Sequence, residues 1–181
     1  MPDNNPDLRE RVVENRGFLK KLQLKVPALK EYRKLEDIRA ADQLLRKQVF
    51  DRLNEAKSKL ELIRKAMTDK GDFTNLTAIG TTISQIQQVA GQVGHAQQGS
   101  AGISPNIRID ENALNKLYEY DYNFVNSAEQ IFSTASDSLT EYTSGTSSVQ
   151  AISTKIASIL EDFKHVWKQR LDSVENILVT K

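Results

Sequence analysis

The chain contains no cysteine, only two methionines and two histidines, and only four prolines and eight glycines among its 181 residues. The lack of cysteine excludes disulfides, thiolate nucleophiles and cysteine-ligated metal sites. The scarcity of proline and glycine argues against an all-β protein, which needs a turn about every ten residues. We therefore expect helices along almost the whole chain.

Long hydrophobic runs are also absent. No apolar stretch reaches the length of about 18 residues that a membrane-spanning helix needs, and the first residues, MPDNNPDLRERVVENRG, lack the apolar run of a signal peptide. We expect a soluble, cytoplasmic protein.

Apolar residues recur at steps of three and four along most of the chain, which is the spacing of an amphipathic helix. The pattern predicts five helices, over residues 6–25, 27–70, 75–97, 110–143 and 147–179. Short connections after helices 2 and 4 favour antiparallel neighbours. We predict an all-α fold with a single domain over residues 1–181. It is an elongated antiparallel bundle of two helical hairpins, four long helices in all, with coiled-coil-like packing and an N-terminal accessory helix.

The path of the accessory helix is open at this stage because of Pro27. A proline cannot occupy a normal helix interior, so it either begins helix 2 or kinks one continuous helix. If helix 1 instead folds back on helix 2, Leu19 should lie near Leu35 and Val12 near Asp42.

The two hairpins can be aligned by residue number. In helices 2 and 3, the numbers of two residues at the same level of the hairpin add up to 142 or 143. In helices 4 and 5 they add up to about 291. The second sum places Asp121 level with Arg170. Each of these residues occupies a position where the apolar stripe of its helix should continue. We predict a partly buried ion pair that fixes the register, with Tyr118 or Tyr122 able to donate to the same carboxylate. The alternative is that both charged side chains reach solvent from the edge of a broad stripe.

One fifth of the chain has no charge: residues 73–107 contain no Asp, Glu, Lys or Arg. Helix 3 lies in this segment and contains the small residues Gly80, Ala90, Gly91 and Gly94. Each glycine lowers intrinsic helix stability by roughly 1 kcal/mol relative to alanine, so helix packing should offset the loss. We predict that helix 3 is covered on more than one side and forms the interface of a symmetric dimer. The alternative is a glutamine-rich helix with one solvated face.

Charge is distributed unevenly along the chain. Residues 1–70 contain 18 basic and 12 acidic residues, a net charge of +6, whereas residues 71–181 contain 7 and 12, a net charge of −5. The first helix carries a candidate basic surface, made of Arg9, Arg11, Arg16, Lys20 and Lys25. It could contact an anionic membrane surface, although a charge asymmetry of this kind more often reflects attraction between two parts of one bundle.

Residues that could carry chemistry are few. Asp162 and His165 have the i, i+3 spacing of a di-iron bundle, but this pair occurs once where such sites need it twice. His95 has no carboxylate or nucleophile beside it, and no phosphate-binding glycine loop is present. The tyrosines of YEYDYNF at 118–124 have acidic neighbours, which argues against nucleic acid. We expect no catalytic residue, no metal, no cofactor and no small-molecule substrate.

These features favour a non-enzymatic scaffold or adaptor that binds another protein and self-associates as a dimer. Peripheral association with a membrane surface through the basic N-terminal helix is the alternative, and an enzyme is the third candidate. The sequence suggests no particular family.

Overall fold

The computed structural model describes the backbone of residues 8–27, 29, 38–96 and 111–179 and the side chains of residues 17–27, 29, 41–96 and 113–173. This part of the chain folds into helices without a strand. The helices are α1 (Leu8–Lys25), α2 (Ile38–Asp69), α3 (Leu76–His95), α4 (Glu111–Thr143) and α5 (Val149–Val179). The predicted all-α helical bundle is confirmed, and the bounds of the last three helices agree with prediction to within two residues.

Helices α2 to α5 form a four-helix bundle. Helix α2 packs against α3 and α4, and α5 packs against the same two helices, so α3 and α4 lie on one diagonal and α2 and α5 on the other. Two contacts between α2 and α4 show their relative direction: Arg52 pairs with Glu129, and the ammonium of Lys70 lies over the ring of Tyr142. Residue numbers rise together along both helices, which are therefore parallel, while each hairpin is antiparallel.

The core follows the predicted stripes. Leu53, Leu60 and Ile83 are buried, as are Ala128 and Phe163 in the second hairpin. Burial of each large apolar side chain contributes about 1.5–3 kcal/mol relative to exposure, and truncating one of them to alanine costs about 2–5 kcal/mol. The bundle is thus held by layers of apolar residues from all four helices.

Both hairpins turn at a glycine in the left-handed region, since φ is 71° at Gly71 and 75° at Gly145. After α2, the N–H of Asp72 donates to the carbonyl of Met67, and that of Gly71 to the carbonyl of Thr68. The same pair of bonds follows α4. This is the Schellman pattern, which satisfies the last carbonyls of a helix and favours glycine at its turning point, because a Cβ is disfavoured in the left-handed region.

Helix α1 packs against α4, a neighbour that neither of the two expected paths, a fold-back on helix 2 or a continuation into it, anticipates. The ring of Phe18 lies 5.8 Å from that of Tyr122 on α4, and Leu22 is buried in the same core. The specific neighbours predicted for Val12 and Leu19 involve side chains outside the described residues. Helix α1 uses α4 because α4 has a broad apolar stripe, of which α2 and α5 cover only a part.

Pro27, where helix 2 was predicted to begin, lies in a 3₁₀ turn. The N–H of Leu29 donates to the carbonyl of Val26, three residues back, so the chain makes a 3₁₀ turn there instead of an α-helix. Proline has no N–H and disfavours the α conformation in the preceding residue. The described part of α2 begins at Ile38.

The cap of the last helix is Ser148, one residue after Ser147. Ser147 has the spacing of a capping box with Gln150, but the hydroxyl of Ser148 accepts the hydrogen bond from the N–H of Ala151. Helix α5 accordingly begins at Val149, one residue after its cap.

Candidate functional site

A buried ion pair joins α4 and α5 at the level that the residue numbers predict. Nε of Arg170 donates to Oδ1 of Asp121 over 2.7 Å. The two residues are 2% and 1% exposed, so both charges are removed from water. The alternative expectation, that both side chains reach solvent, is thereby excluded.

The pair belongs to a longer network, which sequence reasoning missed. Nη2 of Arg170 also contacts Oδ1 of Asp42 on the diagonal helix α2, at 2.8 Å. The other oxygen of Asp42, Oδ2, accepts from Nε of Arg46 over 2.9 Å, and Nη1 of Arg46 donates to the carbonyl of Ala96 just after α3. We call these four side chains, Arg46, Asp42, Arg170 and Asp121, the polar network. It connects all four bundle helices at one end and contains two positive and two negative charges.

Aromatic rings surround the guanidinium of Arg170. Its Cζ lies 5.2 Å from the ring centroid of Phe124 and 5.7 Å from that of Trp167, and the two rings stack at 4.7 Å. A guanidinium over a ring face is attracted by the ring quadrupole, more strongly where water is excluded. The rings also keep water away from the ion pair.

Burial sets the acid–base properties of this site. Burial raises the pKa of Asp121 above its usual value, with a further contribution from Asp42, against the opposing effect of the Arg170 guanidinium. Burial lowers the pKa of Arg170, but the carboxylates of Asp121 and Asp42 raise it by more, so the net shift is upward. The pKa of the Tyr118 hydroxyl is raised as well, by burial and by the charge of Asp121.

The contacts of the polar network indicate a structural role. Each guanidinium has at least two acceptors, and Oδ1 of Asp121 and both carboxylate oxygens of Asp42 have cationic donors. Removing one member would leave a buried charge with fewer partners, so the network disfavours any other register of the helices.

The predicted interface helix, α3, has two different faces. Its inner face is buried against α2 and α5 and includes Ile79, Ile86, Ala90 and Val93. Its outer face is exposed and uncharged, and consists of Thr77, Thr81, Ser84, Gln88, Gln92 and His95. Ala90 thus belongs to the core of the same chain.

The glycines of α3 are not all equivalent. A Cβ added at Gly80 or Gly91 would meet no atom within 4 Å, whereas one at Gly94 would lie 2.9 Å from Cδ2 of Phe50 on α2. Within one chain, therefore, close packing explains Gly94 alone. It involves the Phe50 ring and no backbone of a neighbouring helix.

The candidate basic surface is described in part. Lys20 is exposed and Lys25 is half-buried, while the side chains of Arg9, Arg11 and Arg16 lie outside the described residues. Lys21 joins this surface, with its ammonium 5.3 Å from the ring centroid of Phe18.

The remaining sequence candidates are not brought together. Asp162 and His165 are both exposed, and the ring of His165 contacts Gln169. No group of three or more His, Cys, Asp or Glu side chains within the described ranges could hold a metal ion. Tyr118 is buried, while Tyr120 and Tyr122 are half-buried.

A cleft of about 400 Å³ lies between α2 and the end of α3. It is lined by Arg46, Lys47, Phe50 and His95, among others. Lys47 pairs with Asp51 and Arg46 with Asp42, so the cations beside the cleft are already neutralised by neighbouring carboxylates.

No helix in the described part of the chain combines the length and the hydrophobicity that crossing a membrane requires. Comparison with models of protein families, with curated proteins and with solved structures gives no match for this chain.

Proposed function

We propose that this chain is a non-enzymatic, cytoplasmic helical-bundle scaffold that self-associates as a symmetric dimer through the outer face of α3. One observation carries this proposal: the outer face of α3 is exposed to solvent and has no charged residue, although 27% of the chain is charged. Protein interfaces are depleted of charged residues at their centre. Ser, Thr and Gln can form hydrogen bonds across such a contact.

The open space at Gly80 and Gly91 supports the same surface. Neither glycine is required by packing inside the chain, and each lowers helix stability by roughly 1 kcal/mol relative to alanine. Small residues on an outer face allow another helix to approach closely. A second copy of the chain presents the same face and can form an isologous contact that closes as a dimer.

The mass of the protein in solution, measured by light scattering over a range of concentrations, tests the proposal. We expect a dimer, and we expect Gly91→Glu to dissociate it. The introduced carboxylate side chain would enter open space in the single chain, so the variant should keep its helical circular dichroism. Gln130→Glu, at an exposed position of α4, is the matched control and should leave the dimer intact.

A monomer at every concentration would refute self-association. An adaptor that holds only a different helical protein through α3 would also be monomeric, and Gly91→Glu should then abolish capture of that partner.

A further inference from the structure

Helix α1 has an outward face that packing within the chain does not use. Its inward face is anchored by Leu22 and Val26, both buried, and by the Phe18 ring against α4. The side-chain amide of Gln48 on α2 also donates to the carbonyl of Lys25, which holds the end of the helix. The outward face of α1 therefore belongs to a helix that these contacts hold in place.

That outward face combines an apolar side chain with lysines. Leu24 is 74% exposed, the most exposed large hydrophobic residue in the described part of the chain. Lys20 and Lys21 precede it by one helical turn and are exposed, and Lys25, which is half-buried, follows it at the edge of this face. We call Lys20, Lys21, Leu24 and Lys25 the α1 patch.

Within the described ranges, no carboxylate neutralises the charge of the α1 patch. Lys47 and Lys65 of α2 each pair with an aspartate four residues later, at 2.7 Å. Among the described residues, by contrast, no carboxylate forms an ion pair with a lysine of the α1 patch, although α1 lies against the part of α4 that contains Asp121. Over its length α1 has six basic residues and two acidic ones, a net charge of +4. Ion pairing within the described part of the bundle therefore does not account for these three lysines.

We infer that the α1 patch binds the surface of a bilayer that contains anionic phospholipids. Lysine side chains can reach phosphate and carboxylate headgroups while their alkyl stems lie along the apolar boundary, and Leu24 between them can enter that boundary. An anionic leaflet attracts each nearby cation, so three lysines act together. Leu24 favours lipid over nucleic acid, because single-stranded nucleic acid needs exposed aromatic rings for stacking and Phe18 is half-buried.

This surface is separate from the proposed dimer contact. Helix α1 lies against α4, and α4 is diagonal to α3 in the bundle. Variants of the α1 patch should therefore leave self-association unchanged, and Gly91→Glu should leave lipid binding by each chain unchanged.

Co-sedimentation of the full chain with vesicles tests the inference. We expect binding to vesicles of phosphatidylcholine with phosphatidylserine, weaker binding as salt is raised, and none to phosphatidylcholine alone. The double variant Lys20→Glu with Lys25→Glu should lower the partition coefficient about tenfold or more, since each lysine contributes to the attraction. Lys21 is left in place because of its contact with the Phe18 ring.

Two further variants identify the origin of the binding. Leu24→Ser should weaken it several-fold and keep the salt dependence, because the charges are unchanged. Arg64→Glu with Lys168→Glu makes the same change of net charge at exposed positions on α2 and α5, and should bind vesicles as wild type does.

Three results would overturn the inference. Equal loss in the Arg64 and Lys168 control would show that net charge alone matters. The absence of binding to anionic vesicles at low salt would exclude a lipid partner. Binding of the α1 patch to single-stranded RNA without binding to vesicles would assign it to nucleic acid instead.

Discussion

The ring of Phe50 on α2 lies against Gly94 on α3, so closely that a Cβ at residue 94 would be 2.9 Å from its Cδ2. Gly80 and Gly91 on the same helix have open space where a Cβ would be. The three glycines thus share one helix and differ in a single respect, the atoms that surround them.

Alanine substitutions at these three glycines should have different effects on stability. Gly80→Ala and Gly91→Ala should each raise the unfolding free energy of the monomer by about 0.5–1 kcal/mol, because alanine loses less backbone entropy in a helix. Gly94→Ala should give no such gain, since Phe50 has to shift. Urea denaturation measures all three, and an equal gain at Gly94 would show that the Phe50 ring moves without cost.

Breaking the buried ion pair should cost more than removing both partners. Asp121→Ala should lower the unfolding free energy by about 3 kcal/mol, near the low end for a broken buried pair because Asp42 still neutralises Arg170. The double change Asp121→Leu with Arg170→Leu should cost less, since no buried charge loses its partner. Asp137→Ala, at an exposed carboxylate of α4, is the control and should change stability by less than about 0.5 kcal/mol. A double variant as unstable as Asp121→Ala would contradict this account.

The turning points of the hairpins should require glycine. Gly71→Ala and Gly145→Ala should each lower the unfolding free energy by about 1–2 kcal/mol, because a Cβ is disfavoured in the left-handed region. Asparagine at either position should cost less than alanine, since it tolerates this region better. Gly17→Ala, in open space within α1, should not destabilise the protein. Thermal unfolding of the set distinguishes conformational strain from a general effect of the added methyl group.

The stability of the polar network should depend on pH through Asp121. Because the folded-state pKa of Asp121 is raised, the folded chain binds this proton more tightly than the unfolded chain does. The stabilisation from this group is then present below the unfolded pKa and is lost as pH rises through the folded pKa. Asp121→Asn does not titrate at this position. The unfolding free energy of wild type minus that of Asp121→Asn should therefore fall as the pH rises above about 4, the ordinary pKa of an aspartate. A difference that grows with pH would mean that the Arg170 guanidinium outweighs burial.

Much of the bundle was predictable because its signals are local and periodic. Apolar residues at steps of three and four place one stripe on each helix, and the short hairpin connections then fix which residues face each other. That reasoning aligned Asp121 with Arg170 across 49 positions of sequence. It also ended helices 2 and 4 at residues 70 and 143, just before Gly71 and Gly145.

What the sequence left open depends on which stripes meet in three dimensions. Helix α1 could have packed on α2 or on α4, because both present apolar residues, and the space that α2 and α5 leave on α4 decided between them. Asp42 and Arg46 carry an ordinary i, i+4 spacing that is typical of a solvated helix face. Only the diagonal approach of α2 to α5 brings Asp42 to Arg170, and only the end of α3 gives Arg46 its second acceptor. Periodicity determines the face that each helix buries, whereas the choice of neighbour depends on the packing of all the helices at once.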